Sequence, residues 1–256
     1  MTTAPLITAL ELPKEAIVDQ RVPKKLLVEQ GAPTAADKRQ IQEGIEEITW
    51  VAALKPTNIG VPVYRDEVRE YLEIAILTVE FRPTAKPSRL IELIHRAVPY
   101  PVVLAAQHRD TIDLSLSHKR RSEGEAGRVV IEGIRDIQLN LEAPDENEAA
   151  FLASLAVSRL PNRDMFALYD GLVSRVAALE AARIGGPFSP PGSSDQAAAL
   201  LAGLDDHGRL RRELAILRTK AGKEKQLNRR VELNLEIKRL EGQLSAVSQS
   251  LTGVSS

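Results

Sequence analysis

The 256-residue chain contains no cysteine. That excludes disulfides and thiolate metal sites and fits a reducing compartment. Aromatic residues are scarce, 4 % against 43 % hydrophobic overall, so the core is expected to be aliphatic. Long apolar runs are missing as well. The longest, such as "VVLAA" at 102–106, fall far short of the roughly 20 residues that cross a bilayer. The opening "MTTAPLITALELPKEA" has no basic segment leading into an apolar stretch, so no secretory signal is expected. A cytoplasmic protein with no membrane partner is the expectation. Signature loops are lacking too: there is no G-x-x-x-x-G-K-[ST], no G-x-G-x-x-G after a strand and no G-x-S-x-G elbow. The sequence therefore offers no sign of an ATP loop, a dinucleotide fingerprint or a hydrolase nucleophile, and no cofactor is expected.

Charge is present but unevenly placed. Residues 1–205 carry 23 Lys and Arg against 29 Asp and Glu, a net of −6; residues 206–256 carry 11 against 6, a net of +5. Such asymmetry points to an acidic partner for the basic end, or to a solvated helix face.

Prolines at 5, 13, 23 and 33 predict extended chain with short turns over 1–34. Thr34 and Asp37 then form an N-terminal helix signal, and Ile41, Ile45 and Ile48 share one helical face. "ITWVAAL" (48–54) reads as a buried strand. "YLEIAILTVEF" (71–81) is apolar on both faces, as a central strand covered on two sides would be. Ser88 is placed to cap the helix "RLIELIHRAV", which Pro99 and Pro101 end. "VVLAAQ" and "IDLSLS" form a hairpin around "HRDT", and 129–141 reads as a further strand pair or one bent strand. This order predicts an α+β fold with a mixed, largely antiparallel sheet and packed helices. A helical C-terminal region ending in a long coiled-coil-like helix should follow. The expected boundaries are an α+β domain over 1–145, helices over 146–184, a Gly/Pro/Ser linker over 185–195, and helical chain over 196–256.

Leu233, Ile237, Leu240, Leu244, Val247 and Leu251 are spaced 4, 3, 4, 3, 4, a heptad seam. Leu210, Leu214, Leu217 and Ala221 repeat the spacing in a different register. A helix of about 40 residues would be about 60 Å long, more than a small domain covers. The seam therefore calls for a partner helix: a second copy in a homodimer, the preceding helix folded back, or another protein. Between the two seams, Lys220, Lys223, Lys225, Arg229 and Arg230 form a basic stripe. It lacks aromatics to stack on bases, so any nucleic-acid contact would be with DNA backbone, sequence-blind and salt-sensitive. A second basic cluster, Lys119, Arg120 and Arg121, precedes a glycine-bearing loop that reads either as a phosphate cradle or as an ordinary solvated loop.

Catalytic candidates are few. Asp66 with Glu80-x-Arg82 approaches the acid and Glu-x-Lys of a restriction-type, Mg²⁺-dependent nuclease, with arginine where the water-activating lysine belongs. Glu92-x-x-His95 is one half of a di-metal motif that needs two halves, so no metal site is assigned.

The stretches "LPKEAIVDQRVPKKLL" (12–27), "IEEITWVAALKPTNIGV" (45–61), "VPYPVVLAA" (98–106), "SLSHKRR" (115–121) and "EKQLNRRVELNLEIKRLE" (224–241) together resemble a prokaryotic family known only as a domain of unknown function. Its recurrent Pro-Lys pair is matched by Pro23 and Lys24. Its Lys/Gln/Asn-rich helix is matched by Lys225, Gln226, Asn228, Arg229 and Asn234. The resemblance implies a genomic setting beside DNA helicases and DNA methyltransferases in restriction or phage-defence clusters. It implies no known activity. A small chain without an ATP site in that company suggests a non-catalytic adaptor docked to the helicase or methyltransferase, with a metal-dependent nuclease or a stand-alone DNA binder as alternatives.

Overall fold

The structure, a computed structural model, describes residues 2–122, 124 and 129–253. Its contacts divide the chain into two compact units, Met1–Val176 and Ala177–Ser256.

Unit 1 begins with helix α1 (Ala4–Ala9), strand β1 (Ile17–Arg21) and helix α2 (Lys24–Gly31), where the prolines predicted extended chain. Pro5 lies in the first turn of α1 and Pro23 is the residue before α2. At a helix start the missing proline N–H has no intrahelical partner to lose, so these prolines open helices rather than forbid them. Helix α3 (Ala35–Gly44) follows, capped as the sequence indicates: the Thr34 hydroxyl accepts the Asp37 amide at 3.1 Å. Strand β2 (Ile45–Leu54) and the short helix α4 (Pro56–Ile59) come next. A small hairpin of β3 (Tyr64–Arg65) and β4 (Glu70–Tyr71) precedes the central strand β5 (Ile74–Phe81). Helix α5 (Pro87–Ala97) leads to β6 (Val102–His108), which turns into β7 (Thr111–Leu116). Strand β8 (Lys119–Arg121) pairs with β9 (Val129–Ile131), and β10 (Arg135–Leu139) returns to the main sheet. Ser88 does not cap α5; Pro87 occupies its first turn, which begins after Lys86.

The main sheet has six strands in the order β1-β2-β5-β6-β7-β10. Every neighbouring pair is antiparallel except β5 and β6. That one parallel pair needs a crossover, and α5 supplies it. One face of the sheet, with Leu77, Val79, Leu104 and Ala106, packs against Leu27 of α2, Ile41 of α3 and Leu90, Ile91 and Ile94 of α5. The helices approach closely: a Cβ on Gly31 would lie 2.7 Å from both the Ala97 side chain and the Leu93 carbonyl, so only glycine fits there. The alternate residues Ile74, Ile76, Val103 and Ala105 are also buried. Unit 1 ends with helix α6 (Glu146–Ser154) and the first part of α7 (Met165–Ile184). From α7 the fully buried Tyr169 hydroxyl donates to the Val102 carbonyl at 2.7 Å and accepts the Ser117 amide at 2.8 Å. Strand β5 is thus apolar and buried on both faces, as its sequence pattern requires.

Unit 2 contains the end of α7, helix α8 (Ser194–Lys223) and helix α9 (Leu227–Leu251). The Ser193 hydroxyl caps α8 by accepting the Gln196 amide at 3.2 Å. The chain is not helical without interruption from 195 to 251: it breaks at residues 224–226.

Candidate docking surface on the C-terminal hairpin

The break follows from local chemistry. Gly222 is a poor helix former in the last turn of α8, and Glu224 and Gln226 both take extended backbone, with ψ of 125° and 119°. The Glu224 carboxylate accepts the Gln226 amide at 2.8 Å and holds the turn. Helices of 30 and 25 residues result. They fold back on each other. Leu210 and Leu214 of α8 bury against Leu240 of α9, with Leu217, Ile237, Leu244 and Val247 around them. Arg218 bonds Glu241 across the pair at 2.7 Å. At the other end of α9, Leu251 packs with Ala177, Ala181 and Leu204. A Cβ on Gly203 would sit 2.9 Å from Leu251 Cδ2, so the small residue admits the leucine.

Of the three partners the heptad seam called for, the structure therefore provides the preceding helix. Ile237, Leu240, Leu244 and Val247 face α8, and Leu251 joins the base of unit 2. Leu233 is half-buried beside Lys220 and Lys223 at the tip. These six side chains are inside the hairpin and do not present an open stripe.

A different stripe is open. Leu227, Val231 and Leu235 are 63 %, 50 % and 65 % exposed. At 100° per residue they cluster roughly 160° around α9 from the buried seam, on its outward face. The basic residues also lie outside. Lys220, Lys223, Lys225, Arg229 and Arg230 are all exposed, and Glu224 is the one acid between 220 and 230. Arg209 is neutralised by Asp206 and Glu213, and Arg218 by Glu241. Among the described residues no such ion pair forms at the five tip cations, nor at Lys238 and Arg239.

In unit 1 the sequence candidates take other positions. Lys119 is 3 % exposed, and its ammonium donates to the Val98 carbonyl and, at 2.7 Å, to the His95 carbonyl at the end of α5. It closes a helix C-terminus and is no surface phosphate ligand; burial pushes its pKa down to about 7. Arg120 lies 3.9 Å from Glu132 and Arg121 lies 3.7 Å from Glu70, so acids balance both. Except for Gly124, the glycine-bearing loop 123–128 lies outside the described residues. Asp66 shapes the β3–β4 turn by accepting the Tyr64 hydroxyl at 2.7 Å and the Val68 amide at 2.8 Å. The Tyr64 bond and then the Arg69 amide hold its carboxyl below the usual range. Glu80 is exposed on β5, opposite Gln107 of β6, and Arg82 pairs with Glu46. Glu92 bonds Arg89 and Arg96, while His95 is buried against the Ser115 hydroxyl at 3.0 Å. No group of three His, Asp or Glu side chains placed to hold a metal occurs among the described residues. No helix there is long and apolar enough to cross a membrane.

Sequence reading missed one polar chain. The Tyr71 hydroxyl meets His118 Nδ1 at 2.7 Å, and His118 Nε2 meets Asp170 at 3.2 Å. Phe166 packs between Tyr64 and His118, under the Arg69 guanidinium. Both imidazole nitrogens have partners, and burial pushes the Tyr71 phenol above its ordinary value. The arrangement ties β4, the residue before β8 and α7 together. Residues 71, 118 and 170 are too far apart in sequence to form a readable motif.

Unit 1, an α+β sheet domain, and unit 2, a helical hairpin with a basic tip, define the class of protein. The family model for a domain of unknown function, DUF4391, matches residues 10–244, and the chain belongs to that family. No curated protein and no solved structure matches it.

Proposed function

We propose that this protein is a non-catalytic accessory subunit of a DNA-targeting system of the restriction or phage-defence kind. Unit 2 docks it onto a helicase or DNA methyltransferase encoded nearby. One observation carries the reading: the hairpin tip concentrates Lys220, Lys223, Lys225, Arg229 and Arg230, none of them in an ion pair among the described residues, whereas Arg209 and Arg218 of α8 are neutralised by acids. Unneutralised charge on an exposed helical turn steers association with an anionic surface. That surface is an acidic protein face or the phosphate backbone. The setting comes from the family resemblance. A degenerate nuclease gains no support, because Asp66 shapes a turn and Glu80 stands on another sheet.

The test is co-expression of the tagged chain with the neighbouring helicase and methyltransferase. The expected result is a stoichiometric complex with one of them, weakened at least tenfold when Lys225, Arg229 and Arg230 are changed to Glu. Failure of the wild-type chain to bind either protein at micromolar concentration refutes the adaptor role. DNA binding in parallel, with affinity falling steeply as salt rises, would favour the backbone as the target.

A further inference from the structure

We draw no further inference here: the strongest candidate, the exposed surface patch of Leu227, Val231 and Leu235 on the outward face of α9, is bordered by charges of both signs, and nothing in the structure shows what covers it.

Discussion

Leu240 and Leu235 lie five residues apart on α9 and make opposite demands on the fold. Leu240 is 4 % exposed against Leu210 and Leu214, and Leu235 is 65 % exposed. Truncating a buried leucine to alanine costs about 2–5 kcal/mol, depending on how well the site collapses. A two-helix seam buries Leu240 between few neighbours and collapses readily, so the low end applies, about 2 kcal/mol. At 1.4 kcal/mol per tenfold, the opening constant of the hairpin should rise about 30-fold. Leu235→Ala loses little burial, and alanine is slightly the better helix former, so its effect should stay within about 0.5 kcal/mol. Amide hydrogen exchange along α9 reads the difference directly, because it reports local opening without melting unit 1. Leu240→Ala should accelerate exchange across the amides of 233–247, and Leu235→Ala should leave them near wild type. Equal acceleration in both variants would mean that α9 is rotated or that the hairpin does not close in solution. The assignment of an inner and an outer face would then fail.

Two further outcomes test unit 1. Lys119 has a folded-state pKa lowered to about 7 by burial, so from about pH 7 to pH 10 the unfolded chain holds a proton that the folded chain releases; stability should rise with pH across that window, and Lys119→Met should flatten the rise in urea unfolding measured at both ends. Asp37 is held at about 2 first by the Arg89 hydrogen bonds and then by Thr34, so the stability it contributes is present above about pH 4 and lost as pH falls toward 2; Asp37→Asn should lower stability at pH 6 and remove this part of the acid dependence.

Much of unit 1 was legible because its signals are local. The cap at Thr34, the double-faced strand at 74–81 and the alternation at 112–116 each contain their own evidence. The N-terminal helices were not legible, because proline reads as a breaker until the turn it starts is known. The buried state of Lys119 was hidden as well: in "SHKRR" it looks like its neighbours, and only the carbonyls at the end of α5, contributed by residues 95 and 98, distinguish it. The polar chain from Tyr71 through His118 to Asp170 is built across three elements and has no local signature. The basic tip and the heptad spacing were both visible, but which apolar face would be covered was not.

That face was nonetheless constrained by register. On one unbroken helix the seam of Leu210, Leu214, Leu217 and Ala221 would point about 130° away from the seam of Leu233 through Val247. No single partner helix could cover both, so the mismatch itself calls for a turn between them, where Gly222 weakens the helix. Continuing the first seam in steps of three and four beyond Ala221 leads through 224 and 228 to Val231 and Leu235. These two side chains therefore follow the register of α8 and are carried past the turn to the outside of α9, where the hairpin does not use them. Polar residues there would keep the hairpin as stable, so the hairpin itself does not require this apolar pair.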